Sequence, residues 1–349
     1  MQTTIKETLD IPLRWTEILA LNPTPRSELD LAVANFKRLL VDADRQALKN
    51  NNVVPQRFVA DVETAFRACN AKLNSIESEL NKGNDELGAR IKSDLLPYLL
   101  LTNNAERWYS KPRGYAGDFL SIHQIYQNQP EGRGRIGSIL DQCFLNLPAA
   151  IAVRNRRPLL AEEINEVVAA KGDAGAKVTS LACGPAAELF DVYETLADRT
   201  KLTATLIDID LQALAFVAEQ RDKARLQQQM RLINANLIYV VKEREKLNLR
   251  DQDLIYSIGL IDYFSDKFVI KLLDYIHSAL VPGGKVILGN FHPRNPDKAM
   301  MDHVLDWRLI HRTEDDMNRI FRASAFARGC TKVRFEDQGI NLFAECIKR

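Results

Sequence analysis

The sequence predicts an α/β fold: a mainly parallel sheet whose last strand is antiparallel, preceded by a helical amino-terminal region. Three observations lead there. To about residue 170, apolar residues recur at close to a 3.6-residue period. From Lys177 onward, short β-branched or apolar runs alternate with helical segments, the pattern of strands joined by crossover helices. The final two runs are separated only by the short turn Asp337-Gln-Gly339, so they read as an antiparallel hairpin.

In the first region, helices are predicted over Leu29–Leu48, Phe58–Leu80 and Leu87–Leu101, then Phe119–Gln127 and one long helical stretch, Ile136–Val168. Breaks fall at Asn22-Pro-Thr-Pro25, Asn50-Asn-Asn-Val-Val-Pro55 and Lys82-Gly83, where proline or glycine ends a helix. A glycine-rich stretch, Lys111-Pro-Arg-Gly-Tyr-Ala-Gly-Asp118, interrupts the helices, and Pro130-Glu-Gly-Arg-Gly134 follows it. In the second region, strands are predicted at Val178–Ala182, Leu202–Asp208, Met230–Asn234, Asp253–Ser257, Lys285–Asn290, Thr331–Phe335 and Leu342–Ile347. Helices lie between them at Ala186–Ala197, Leu211–Gln220, Asp266–Leu280 and Glu314–Phe326.

Composition limits the function before any motif does. The chain has 349 residues, which suits two domains of about 150 residues or one large one with an extension. Lysine plus arginine is 47 and aspartate plus glutamate is 46, a formal net charge of +1. A protein that binds nucleic acid by neutralising many phosphates is far more basic, so a small-molecule partner is expected instead. The cysteines Cys69, Cys143, Cys183, Cys330 and Cys346 are odd in number and scattered, with no C-x-x-C. That argues against a disulfide framework and a zinc site, and no H-x-x-x-H cluster suggests another metal. The start, Met-Gln-Thr-Thr-Ile-Lys-Glu-Thr, lacks an apolar h-region, and the runs Leu95–Leu101 and Leu147–Val153 are too short to span a bilayer. A cytoplasmic setting is expected; the oligomeric state is left open.

Four segments carry chemistry. In Val178-Thr-Ser-Leu-Ala-Cys-Gly-Pro-Ala-Ala-Glu188 a buried strand ends at Cys183 and turns at Gly184, and Pro185 suits the first turn of a helix. Such a turn puts helical N–H groups at the carboxyl edge of the sheet, where ligands sit. A plain tight turn is the bland reading. Thr203-Ala-Thr-Leu-Ile-Asp-Ile-Asp210 ends the second strand in acids, with Asp208 lying 24 residues beyond Gly184. That is near the separation between a glycine turn and a ribose-binding acid. Asp208 is assigned to a ribose diol and Asp210 to capping the next helix. Asn236, after the third strand, offers an amide to an adenine edge or is an ordinary loop asparagine. Asp253-Leu-Ile-Tyr-Ser-Ile-Gly-Leu-Ile-Asp-Tyr-Phe264 forms the fourth strand and its exit, and Val281-Pro-Gly-Gly-Lys285 turns into the fifth.

Taken together, over residues 155–349, this order resembles the class I S-adenosylmethionine-dependent methyltransferases. The turn Leu181–Glu188 is similar to their glycine-rich first motif, Asp208 to their ribose-binding acid, Asn236 to the position near adenine, and the terminal hairpin to their reversed seventh strand. Alanine at 186 departs from the usual G-x-G. A nicotinamide dehydrogenase would need the full G-x-G-x-x-G, of which Gly184 alone is present. The stretches Lys111–Asp118 and Trp307-Arg-Leu-Ile-His-Arg-Thr313 are similar to the bacterial 3-hydroxypalmitic acid methyl ester synthase group. The resemblance implies a Rossmann-like methyltransferase sheet over 151–349 with a helical lid domain over 1–150, and S-adenosyl-L-methionine as cofactor. It further implies methyl esterification of a small carboxylic acid. A hydroxyl or nitrogen acceptor, or a module that binds the cofactor without transfer, are the alternatives.

On this resemblance the cofactor-binding residues are Arg113, holding the methionine carboxylate, with Cys183, Gly184, Asp208, Asn236 and Ser257. Tyr115, Asp262 and His292 are the catalytic candidates, a base being needed only if the acceptor must lose a proton. Tyr109, His123, Tyr263 and Arg294 are the substrate-binding candidates. Tyrosine faces stabilise cations such as a sulfonium, and arginine grips carboxylates bidentately. Each has a bland reading: His292 a loop histidine, Arg294 a solvated side chain, Asp262 a helix cap that Ser265 fills better. Tyr109, Arg113, Tyr115 and His123 read equally as polar residues on a helix connector. Trp108 and Trp307 read as core or rim aromatics, His277 as a surface or core histidine within a helix, and His303 and His311 as too isolated to hold a metal. Cys183 reads as a small buried residue rather than a nucleophile. Arg133, Arg135, Arg154, Arg156 and Arg157 read as a solvated basic face.

Overall fold

The computed structural model describes residues 25–77 and 85–349. The predicted breaks at residues 22–24 and 82–83, and the end of the second predicted helix at 78–80, lie outside these residues.

Seven strands form one sheet in the order β3-β2-β1-β4-β5-β7-β6. They are β1 Ala176–Leu181, β2 Leu202–Asp208, β3 Met230–Asn234, β4 Gln252–Ile258, β5 Leu280–Phe291, β6 Lys332–Phe335 and β7 Asn341–Ile347. The first five pair in parallel. Strand β7 runs antiparallel between β5 and β6, so the predicted hairpin is there and its reversed strand is interior to the sheet. The order reverses direction beside β1, which opens a crevice at the carboxyl ends of β1 and β4.

Strand residues alternate between two cores because side chains on a strand point to opposite faces. Leu181, Ile207, Ile255, Val286 and Leu288 pack on helices Asp266–Ala279 and Glu314–Arg322. Val178, Leu206, Leu254, Tyr256 and Ile287 pack on helices Pro148–Lys171, Ala187–Thr195 and Leu211–Lys223. Each fully buried leucine or isoleucine of this kind stabilises the fold by about 1.5–3 kcal/mol. The Val281-Pro-Gly-Gly284 turn is absorbed into β5 as an irregularity: Gln252 pairs with Leu280, but Leu254 pairs with Lys285.

The helical layer contains Pro25–Lys49, Gln56–Ser75, Asp85–Leu99, Asn104–Ser110, Phe119–Gln127 and Gly137–Leu145. The single helix expected over Ile136–Val168 is two, Gly137–Leu145 and Pro148–Lys171. Pro148 is the cause: it lacks an N–H, and the residue before a proline is pushed into an extended backbone, as Leu147 is at φ −61°, ψ 137°. The short helices Asn104–Ser110 and Leu237–Val241 leave no periodic signal in the sequence, since five to seven residues are too few to show a helical period.

Helix Pro148–Lys171 crosses residue 150 and ties the layers together. Its first turns, Ala149 to Val153, belong to the core of the helical layer, and Leu160, Ile164 and Val168 belong to the core under the sheet. The helical layer is in turn completed by residues from the far end of the chain: Phe291, Met300, Met301, Val304 and Trp307. Buried Glu163 adds a polar tie, accepting from Lys285 Nζ at 2.5 Å and Arg334 Nη1 at 2.6 Å. Burial pushes its carboxyl up, but these cations outweigh that and leave it below its ordinary value.

Candidate active site

A cavity of about 330 Å³ opens at the carboxyl ends of β1, β2 and β4, beneath the glycine-rich loop and helices Phe119–Gln127 and Pro148–Lys171. Its β1 side is a turn of alternating left-handed residues: Ala182 at φ 54°, Gly184 at 53° and Ala186 at 51°. Left-handed backbone costs an alanine about 1–2 kcal/mol, and such strain gathers at functional sites. A Cβ placed on Gly184 would meet no atom within 4 Å and would project into open space.

Asp208 is buried at the end of β2. Its Oδ2 accepts from the Gly184 N–H and its Oδ1 from the Asp210 N–H, both at 2.9 Å. Burial raises its pKa and these two bonds partly offset the rise. Each carboxylate oxygen keeps a further lone pair, and the residue lines the cavity. Asp210 caps helix Leu211–Lys223 through the Gln212 N–H at 2.9 Å.

The glycine-rich loop is fastened over this edge. Arg113 grips Asp210 bidentately and also donates to Gln212. Tyr115 Oη lies 3.4 Å from Asp210 Oδ2. At the other end of the loop, Asp118 caps helix Phe119–Gln127 and receives two bonds from Arg107 at 2.8 Å. In between, Tyr263 donates its hydroxyl to Ala116 O at 2.8 Å and accepts from Trp307 Nε1 at 2.9 Å.

The rest of the lining is largely apolar: Phe119, Ile122, Val153, Leu160, Phe264, Phe291, Trp307 and Leu309. Set into it are buried polar groups. Asp262 is 1% exposed; its Oδ1 accepts from the Phe291 N–H at 2.7 Å and its Oδ2 has no partner. Burial pushes this carboxyl up to about 6. Glu188 accepts from Tyr256 Oη at 2.7 Å, and burial raises its pKa as well. Arg156 also lines the cavity at 6% exposure.

Of the residues singled out from sequence, Tyr115, Cys183, Gly184, Asp208, Asp262 and Tyr263 line the cavity. Cys183 is buried, and burial holds its thiol well above the usual range, which suits an inert wall residue. The remaining seven make other contacts. Arg113 is committed to Asp210. Ser257 is fully buried and donates to Leu181 O at 2.8 Å, tying β4 to β1. Asn236 caps helix Leu237–Val241 by accepting from the Ile238 N–H. Buried His292 sits between Glu314, 3.1 Å from its Nε2, and the Arg294 N–H, which it accepts at Nδ1. Arg294 is 63% exposed and lies over the Phe335 ring. Tyr109 faces the ammonium groups of Lys92 and Lys111, and the His123 ring packs against Phe216.

Among the lining residues outside the predicted set, Arg156, Glu188 and Trp307 bear most on the chemistry. Arg156 is the principal one, and its burial corrects the reading of Arg154–Arg157 as a solvated face. The signal was present: Ala149, Val153, Arg156, Leu160 and Ile164 repeat every three or four residues, so Arg156 stands on the buried stripe of its helix. Glu188 closes the glycine-turn motif, and Trp307 is expected from sequence to be a core or rim aromatic. Trp307 does both jobs, packing edge-on to Trp108 and lining the cavity.

Among the described residues, no group of three or more His, Cys, Asp or Glu side chains is placed to hold a metal ion. No described helix is long and apolar enough to cross a membrane.

Comparison with known proteins adds the following. The model of the family described as "Putative methyltransferase" matches residues 114–344. The uncharacterized protein YnbC of Escherichia coli K12 is 26% identical over 241 residues, which are 66% of this chain and 40% of that protein. The match therefore spans less than half of the curated relative's length. Among solved structures, a possible exported protein from Bordetella parapertussis is 19% identical with a TM-score of 0.49, over 93% of this chain and 97% of that one. Magnesium protoporphyrin IX methyltransferase from Synechocystis PCC 6803, with bound SAH, is 10% identical with a TM-score of 0.46, over 66% and 95%.

Proposed function

We propose that the chain, which belongs to this methyltransferase family, uses S-adenosyl-L-methionine to methylate a small carboxylic acid, giving a methyl ester. The observation that carries the proposal is the meeting of two unlike surfaces in one cavity. Gly184 leaves open space beside the Asp208 carboxylate, while much of the remaining lining is apolar and aromatic.

The residues present fit the donor. Gly184, with open space where a Cβ would be, admits a ligand close to the backbone, and Asp208 offers two acceptor oxygens to a ribose diol. When bound, S-adenosyl-L-methionine supplies an electrophilic methyl group on a sulfonium. The chain's own work is then positioning and exclusion of water. The loop pinned by Arg113 to Asp210 covers the Asp208 edge, and Tyr115, Phe119 and Trp307 wall off solvent. In this reading the helical layer serves as the lid. A carboxylate acceptor is ionised at neutral pH and needs no base; the apolar wall suits its hydrocarbon part. The free cysteines suit a reducing, cytoplasmic setting.

One observation favours a second reading. Asp262, with an unpartnered oxygen and a pKa of about 6, is poised to take a proton near neutral pH. That would serve a hydroxyl or amine acceptor.

The test is incubation of the purified chain with methyl-labelled S-adenosyl-L-methionine and matched twelve-carbon acids, alcohols and amines. The acid is expected to be labelled, and the label to be released as methanol by mild alkali. Label appearing only in alkali-stable ether or N-methyl products would overturn the ester reading in favour of the second one.

A further inference from the structure

Among the described residues, two arginines are almost fully buried, and they are treated differently. Arg312, 2% exposed, uses its whole fork. Its Nε donates to Asp266 at 3.0 Å, Nη1 to Ile261 O at 2.9 Å and Asn290 Oδ1 at 2.8 Å, and Nη2 to Phe264 O at 2.6 Å. Arg156, 6% exposed, makes one long hydrogen bond, from Nε to Tyr126 Oη at 3.4 Å. Its two terminal nitrogens donate to no described residue. Its neighbour Arg157 is paired bidentately with Asp191 at 2.5 and 2.6 Å, so the shortfall is particular to Arg156.

The fork also has a place made for it. Gly259, at φ 88° just past β4, lies against the guanidinium, and a Cβ there would stand 3.1 Å from Nη1. Buried guanidinium groups are normally paired and hydrogen-bonded, because an unmet charge in apolar surroundings is costly. Burial opposes the charge, but Tyr126, and after it the carboxylates of Asp262 and Glu188, outweigh that effect and keep Arg156 cationic. They do not fill its hydrogen-bonding fork, which faces a cavity with apolar walls. A planar bidentate donor of this kind matches a carboxylate.

We infer that Arg156, seated against Gly259, is the carboxylate-binding residue of this cavity. The inference rests on the methyltransferase reading above, under which two ligands carry a carboxylate: the amino-acid end of the donor and the acid acceptor. The position differs from both arginines chosen from sequence, since Arg113 is spent on Asp210 and Arg294 lies outside the cavity.

The experiment measures binding of S-adenosylhomocysteine, dodecanoate and 1-dodecanol by calorimetry to the wild type, Arg156→Met and Arg156→Lys. Arg156→Met is expected to weaken one carboxylate ligand at least 30-fold while changing 1-dodecanol less than threefold. Loss of dodecanoate with S-adenosylhomocysteine retained assigns the residue to the acceptor. The converse assigns it to the donor's amino-acid end. Arg156→Lys, which keeps the charge and loses the fork, should fall between, and it carries the test if the methionine variant does not fold. Carboxylate binding within threefold of wild type in both variants would overturn the inference alone. A wild-type protein that binds neither carboxylate overturns the proposed function and this inference together.

Discussion

The two sides of the cavity differ in how their polar groups are satisfied. On the β1–β2 side the protein satisfies its own groups: Asp208 is held by two backbone N–H groups, and Asp210 by a helix N-terminus and Arg113. At the end of β4 the protein leaves groups short: Asp262 has an oxygen without a partner, and Arg156, beside Gly259, has a fork without acceptors. A buried polar group costs stability unless it is hydrogen-bonded. The satisfied side is therefore preformed, and the unsatisfied side gives up stability at the place where a ligand's polar atoms would complete it.

The contrast predicts opposite responses to similar substitutions. The largest effect is expected from Arg312→Met, which strips four hydrogen bonds from a buried charge network and should lower unfolding free energy by about 3–5 kcal/mol. Arg156→Met removes one long bond and should leave stability within about 1 kcal/mol. Urea unfolding of the two variants side by side measures this, and equal losses would abolish the distinction between the two arginines.

Asp262→Asn comes next. Burial lifts this carboxyl from its ordinary value of about 4 to about 6. Between about pH 4 and pH 6 the native state keeps a proton that the unfolded chain has lost, so native stability falls as pH rises through that window. Asparagine removes the loss while its carbonyl still accepts from the Phe291 N–H. The variant should be more stable than wild type by roughly 3 kcal/mol at pH 8, the equivalent of about two pK units. The gain should disappear below about pH 4, as thermal melts across pH would reveal.

On the satisfied side the changes should be smaller and felt in binding. On the proposed donor site, Asp208→Ala removes the two acceptor oxygens for the ribose and should weaken S-adenosylhomocysteine about 30-fold, or roughly 2 kcal/mol. Unchanged affinity would mean the ribose lies elsewhere. Gly184→Ala should cost about 1 kcal/mol of stability through its left-handed backbone, with donor affinity falling because the new methyl enters the open space. A variant that binds as tightly as wild type would show that no ligand approaches this turn.

Much of this arrangement was legible before the fold was known. The strands β2 and β3 coincide with the predicted runs, because short segments rich in apolar and β-branched residues between loops are how strands read in sequence. Asp208 and Gly184 were legible because both sit where a strand ends, a position that local pattern identifies. Asp210 was legible as a cap for the same reason. His292 shows the limit. It also follows a strand end, but after Phe291 the chain passes β7 and His292 is enclosed by Glu314 and Phe335. Whether a loop residue faces the cavity or the far edge depends on a strand that arrives fifty residues later.

Sequence periodicity and turn chemistry determined the sheet, its reversed strand, the glycine turn and the acid at the end of β2, since all of these follow from interactions between near neighbours in the chain. Tertiary structure alone decided which charges meet the cavity. Arg113 was drawn to Asp210, 97 residues away, while Arg156 was carried inside on the buried stripe of a helix and laid against Gly259. A charge's role depends on which partners folding brings to it, and those partners are set by packing between distant segments.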